Sequence, residues 1–267
     1  MEELLKSGFF QRALTGGLLI GITAPLIGLF VVLRRLSMIG DTLSHVAIAG
    51  VALGFVVGVY PTAVGLAFAI AASFAIEKLR KTYKTYAELS LAIMMSGGIA
   101  LASIMFTMGK SMNISSYMFG SIYTLNQTDL LTIGIVTVVV LIVIFAQMKE
   151  LFLITFDEEA ASVSGLPLKT YNVMISVLTA LVISVAIKIV GALLVSALLT
   201  IPAACSLILA RSFRQSVAVV VSIGVFAVLG GLLIAGLWNL APGGTIVLLM
   251  IALLLVLLLL RRFRAIG

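Results

Sequence analysis

Asp41 and His45 are the side chains best placed to do chemistry. They lie in Leu36-Ser37-Met38-Ile39-Gly40-Asp41-Thr42-Leu43-Ser44-His45-Val46-Ala47-Ile48-Ala49-Gly50, an otherwise apolar stretch that holds the only histidine of the chain. Four residues apart on a helix, they fall on one face one turn from each other, where both could reach a single cation. Imidazole nitrogen and carboxylate oxygen are ordinary ligands for zinc and manganese. Ionisable groups inside membrane spans are costly and face a pathway or a partner rather than lipid. The alternative is that Asp41 caps a helix at the membrane interface and His45 is satisfied by a backbone carbonyl. Two ligands fall short of the three or four of a storage site, so the pair suits a waypoint that must release its ion.

The elements that must position this pair are membrane helices. The chain is 62% hydrophobic and 10% charged, with a mean hydropathy of +1.29, beyond what a soluble core requires. The apolar runs are continuous rather than alternating, which predicts an all-α polytopic fold and excludes a barrel. The 267 residues leave room for eight or nine spans of about 20 residues each, within one transmembrane domain over 1–267. Lone Cys205 supports neither a disulfide framework nor a cysteine metal cluster. The N-terminal stretch with Glu2, Glu3, Lys6 and Arg12 does not read as a removable signal peptide.

The net charge of +7 sits in short clusters between apolar runs, so it reads as topology rather than nucleic-acid binding. Arg34-Arg35, the cluster Lys78, Arg80, Lys81 and Lys84, Arg211 with Arg214, and Arg261-Arg262-Phe263-Arg264 mark the cytoplasmic side. The loop from Lys110-Ser111-Met112-Asn113 to Asp129 and the turn at Leu240-Ala241-Pro242-Gly243-Gly244 are then external. Followed back from the C-terminus, these signals give nine crossings with the N-terminus outside. Eight is the alternative if a short run near 42–58 or 191–210 only dips into the membrane. Gly50, Gly54 and Gly58, a small residue every fourth position, predict a helix-packing stripe.

Between spans lies Phe156-Asp157-Glu158-Glu159 followed by Ser164-Gly165-Leu166-Pro167. Acids at its start and Gly165 and Pro167 at its end predict one or two exposed cytoplasmic helical turns, a docking feature as readily as a connector. A phosphate loop is absent: around Gly109-Lys110-Ser111 the required earlier glycine is Ile104. The later runs carry no mid-span carboxylate, as a proton- or sodium-coupled carrier usually needs. Transport driven by a partner fits better than self-contained coupling; a stand-alone secondary carrier or a membrane scaffold are the rivals. Met94, Met95, Met105, Met108, Met112 and Met118 raise a soft-metal path for copper, but no helical spacing aligns all six.

The chain resembles the membrane subunit of ATP-binding-cassette importers for zinc, manganese and iron. The carrying stretches are Val32-Leu33-Arg34-Arg35 through Gly50-Val51-Ala52-Leu53-Gly54, Tyr117-Met118-Phe119-Gly120-Ser121, and the 156–167 segment. Further matches are Val190 to Leu199 with Ile201-Pro202-Ala203-Ala204, and Pro242-Gly243-Gly244-Thr245-Ile246-Val247-Leu248-Leu249. The resemblance implies a type II-like importer permease fold in a bacterial cell membrane and a homodimer. It also implies two cytoplasmic ATPase subunits, an external metal-binding protein, and a divalent cation as cargo with no permanent cofactor. By the same resemblance the segment 156–168 docks on the ATPase, and Asp41 and His45 contact the metal in the translocation path. Asn239 stands where many members have an aspartate, which leaves it a weak third candidate. The stretch 81–90 is more similar to the zinc-importing branch of Gram-positive bacteria than to the manganese branch, so zinc is the first expectation, with manganese or ferrous iron the alternatives.

Overall fold

The structure is a computed structural model and describes residues 7–83, 86–108 and 114–266. The acids Glu2 and Glu3, Lys6, Lys84 and the Lys110–Asn113 loop lie outside the described residues. Every element described is a helix: α1 (Gly8–Leu33), α2 (Ile39–Val57), α3 (Pro61–Thr82), α4 (Ala87–Met108), α5 (Ile114–Phe119), α6 (Gln127–Ala146), α7 (Met148–Phe156), α8 (Glu158–Val163), α9 (Leu168–Val190), α10 (Val195–Leu209), α11 (Phe213–Trp238) and α12 (Pro242–Ile266). Eight of them, α1–α4, α6, α9, α11 and α12, are long and apolar enough to cross a bilayer.

The two ends of this bundle are chemically distinct. At one end Phe9, opening α1, stacks 5.1 Å from Tyr123, whose hydroxyl donates to Asn239 Oδ1 at 3.0 Å. At the other, Arg34, Arg35 and Arg80 line one cavity with the α7–α8 junction, and Leu209 lies beside Leu260 and Arg261. The basic end is the cytoplasmic one. α9 finishes at the external end and α11 starts at the cytoplasmic end, so the chain between them must traverse. It does so through the turn at 191–194 and α10, whose 15 residues span only about 22 Å. The run at 191–210 is therefore the short crossing, while α2, the other candidate, is a full-length helix. Among the described residues eight long helices and one short one thus run between the two ends, with the start of α1 at the end opposite the arginines.

α1, α2 and α9 are buried over most of their length, whereas α4 and α12 turn most of theirs outward. Small residues make the central position of α1 possible. A Cβ at Gly28 would lie 1.9 Å from the Leu199 carbonyl oxygen, so α1 and α10 touch through backbone. Around Pro25, which leaves the Gly21 carbonyl without its helical donor, α11 closes in through Gly224.

α2 and α3 form a tight hairpin. Gly50 lies against Phe68 and the Val64 carbonyl, and Gly54 against Pro61. Gly58 departs from the expected stripe: it caps α2 in the left-handed region at φ 76°, with open space where a side chain would be. Its smallness serves the turn into Tyr60-Pro61 rather than packing.

Over the external end α5 and the irregular stretch after it fold back onto the end of α9. Ser121 N–H donates to the Lys188 carbonyl at 3.0 Å and Ala192 N–H to the Tyr117 carbonyl at 2.9 Å. Gly191, at φ 88°, sits where a Cβ would meet the Met118 carbonyl at 2.4 Å. Part of the loop expected to be external is thus a backbone-bonded cover.

Candidate metal path and coupling segment

Asp41 and His45 occupy the first two turns of α2, the cytoplasmic half of the helix, and both are half-buried. Neighbouring residues fix the helix that carries them. Thr42 Oγ1 donates to the Leu91 carbonyl of α4 at 3.3 Å, and Ser44 Oγ returns to the Gly40 carbonyl at 2.7 Å. Gly98 brings the α4 backbone against His45 itself: a Cβ there would stand 3.1 Å from the His45 carbonyl carbon and 2.9 Å from Val46 N. Among the described residues neither the Asp41 carboxylate nor the His45 imidazole has a hydrogen-bond or ion-pair partner. Asp41 is therefore not tied up as a helix cap, and His45 is not held by a carbonyl. No group of three or more His, Cys, Asp or Glu gathers among the described residues. One chain offers a cation one carboxylate and one imidazole.

Asn239 is not brought to this pair. It caps α11 at the external end in the left-handed region, φ 52°, and its Oδ1 accepts the Tyr123 hydroxyl. α11 packs on α1, α10 and α12. An amide oxygen already used in this way is a structural cap. A cleft of about 410 Å³ between α2, α3 and α4 is lined by Val46, Phe68, Met94, Gly97 and Gly98 among others and presents no charged or imidazole group.

The segment 156–168 is a short capped helix. Asp157 Oδ1 accepts the Ala160 N–H at 2.8 Å, which places Glu158 and Glu159 in the first turn of α8. Gly165 at φ 81° ends it, with Leu166 N–H returning to the Ala161 carbonyl at 3.1 Å, and Pro167 caps α9. Glu158, Glu159, Ser164, Gly165 and Pro167 are exposed, as is Val163 at 90%, while Leu166 is half-buried. Phe156 is exposed on one side and stacks on the other: Phe152 and Phe156 both meet Phe213 of α11, at 5.0 and 6.0 Å, and Phe213 meets Phe30 of α1 at 5.8 Å. The exposed turns are mechanically joined to two spanning helices.

A second charged cluster escaped the sequence reading. Lys188 Nζ lies 2.7 Å from Asp129 Oδ2, both buried near the external end, and the Tyr60 hydroxyl donates to Asp129 Oδ1. Asp129 also completes a capping box on α6 with Asn126. Lys188 lies 5.8 and 5.9 Å from the ring centroids of Tyr60 and Tyr117. Burial, aided by the Asp129 charge, pushes the Tyr117 phenol up to about 12. The signal in the sequence is Lys188 inside an apolar run, a charge that needs a buried partner.

A helical bundle of this kind, with an unpartnered Asp/His pair inside and an aromatic-anchored cytoplasmic helix, is matched by the family model described as the ABC 3 transport family over residues 6–261. The chain belongs to that family. Among curated relatives of this ABC 3 chain, the high-affinity zinc uptake system membrane protein ZnuB of Haemophilus influenzae is 33% identical over 90% of the chain and 92% of its own length. The manganese import system permease protein ScaB of Streptococcus parasanguinis is 33% identical over 93% and 89%. Among solved structures, PsaBC from Streptococcus pneumoniae, in complex with Fab, aligns over 96% of this chain and 93% of that one with a TM-score of 0.86 at 30% identity. The chain is thus a multi-pass cell-membrane permease subunit of an ABC-type metal transporter, with the fold expected of an importer permease.

Proposed function

We propose that this chain imports a divalent cation, zinc in the first place, as one permease domain over 1–267 working in a homodimer. The observation that carries the reading is the free Asp41/His45 pair, held on α2 by α4 and without any in-chain partner or third ligand among the described residues. Two copies supply two carboxylates and two imidazoles, a complete set for a borderline divalent ion. Each copy alone holds the ion weakly, which suits a path.

ATP is hydrolysed by separate cytoplasmic subunits, which dock on the 156–168 segment. Their motion passes through Phe152, Phe156 and Phe213 to α1 and α11. An external metal-binding protein delivers the ion to the opposite face. Zinc rests on the likeness of the 81–90 stretch to zinc importers; manganese is the second reading, supported by relatives named as manganese permeases at the same identity as the zinc relative.

The test is uptake of radiolabelled zinc and manganese into vesicles that contain the chain, its ATPase and the external protein. ATP-dependent uptake favouring zinc supports the proposal. Uptake without the ATPase would make the chain a secondary carrier, and preference for manganese would replace the cargo.

A further inference from the structure

A cluster of arginines at the cytoplasmic ends of α1 and α3 plays no part in the metal path, and contacts within the chain leave some of its donors unmet. Arg34, Arg35 and Arg80, with Thr155, Glu158 and Asn172, line a cavity of about 290 Å³ between the α1–α2 turn, the last turn of α3, the α7–α8 junction and the first turn of α9. Arg80 is paired with Glu77 at 3.3 Å, and Arg34 donates through one Nη to Asn172 Oδ1. Arg34 Nη1 and Arg80 Nε are buried with no partner. Unpaired buried guanidinium donors are destabilising until an anion meets them.

The backbone makes the same point. Arg35 N–H donates to the Val32 carbonyl and Leu36 N–H to the Val31 carbonyl, each at 2.9 Å, which is the helix-ending turn that ordinarily takes glycine. Here the left-handed position, φ 57°, holds Arg35. A side chain kept there against strain is best explained by what it binds. Burial lowers the Arg34 pKa from its ordinary value, and the Glu158 charge partly offsets this; the guanidinium remains a cation.

We propose that this cavity receives a carboxylate side chain of the cytoplasmic ATPase subunit. The inference rests on the docking of that subunit over α8, whose first residue, Glu158, lines the cavity. A protein covering the exposed Phe156 and Val163 must also pass over the arginines. The lining is dominated by polar groups and gives acyl chains little to rest on, so a lipid headgroup fits less well. A carboxylate takes a guanidinium through two parallel hydrogen bonds. Arg35 lies six residues before Asp41. The contact therefore gives the ATPase a second handle, at the turn that leads into the helix carrying Asp41 and His45.

The test is the affinity of the purified ATPase subunit for the full chain in two sets of nanodiscs, one of phosphatidylcholine and one with phosphatidylglycerol added. Arg35→Gln is the main variant, because Arg35 is exposed and its loss leaves the packed bundle intact; Arg34→Gln is the second. Both should weaken binding by about tenfold or more in both lipids and flatten its salt dependence. Asn172→Ala, which removes only the in-chain acceptor, should bind nearly as wild type. Wild-type affinity of the arginine variants, beside loss of binding in Val163→Asp, would overturn the cavity proposal and leave docking on α8 standing. Weakening confined to the phosphatidylglycerol discs would assign the cavity to lipid phosphate and overturn it too. If Val163→Asp also bound normally, the docking reading itself would fall.

Discussion

Lys188 Nζ is 2.7 Å from Asp129 Oδ2, a buried ion pair between residues 59 positions apart that ties the end of α9 to the start of α6. It stands directly under the cover formed by α5 and the Gly191 turn. Removing one partner leaves the other charge buried and alone, so Lys188→Met should cost about 3–5 kcal/mol. Adding Asp129→Asn to it should recover a large part of the loss. Thermal unfolding of the two single variants and the double in the same detergent measures this coupling; additive losses would show that the pair does not act as a unit.

The same cluster sets an alkaline limit. The Tyr117 phenol, held up to about 12 mainly by burial, keeps its proton in the folded protein after it is lost in the unfolded chain. The folded state then binds more protons, so stability is full below about pH 10 and falls as pH rises toward 12. Melting temperature against pH should show this alkaline decline, and Tyr117→Phe should reduce it. An unchanged decline would place its origin elsewhere.

Gly97 and Gly98 are adjacent but not equivalent. A Cβ at Gly97 meets nothing within 4 Å, whereas one at Gly98 meets the backbone of His45 and Val46 at about 3 Å. Gly98→Ala must push α4 away from the helix that carries Asp41 and His45, at a cost of roughly 1–3 kcal/mol, and should reduce uptake; Gly97→Ala should do neither. Parallel uptake and melting measurements decide it.

Phe213 stands at the meeting of α1, α7 and α11. Phe213→Ala should leave ATPase binding intact while several-fold less metal is moved per ATP hydrolysed. Equal loss of hydrolysis and transport would mean that the cluster only supports folding.

How much of this was legible depends on range. The shared face of Asp41 and His45 was legible because their relationship is local, one helical turn apart on α2. The same holds for the capped turn from Asp157 to Gly165 and for the basic clusters that set topology. The pairing of Lys188 with Asp129 was not legible, because nothing near either residue specifies the other; only the packing of α9 on α6 does. Gly58 was misassigned for a related reason: spacing places a glycine on a face but does not tell a packing contact from a helix end. Asn239 adjoins the Pro-Gly turn that the charge pattern already makes external, and its bond to Tyr123 appears only in the fold. Arg34 and Arg80 are visible as topology signals, and their unmet hydrogen bonds appear only once α1, α3, α7 and α9 come together.

The most direct measurement is ATP-dependent uptake of radiolabelled zinc and manganese into vesicles with wild type, Asp41→Ala and His45→Ala, each assembled with the ATPase and equally loaded external protein. Both variants should assemble and bind the ATPase normally, yet transport at least about tenfold less. Normal transport by both variants would contradict a path through Asp41 and His45 and leave the pair a structural feature of α2.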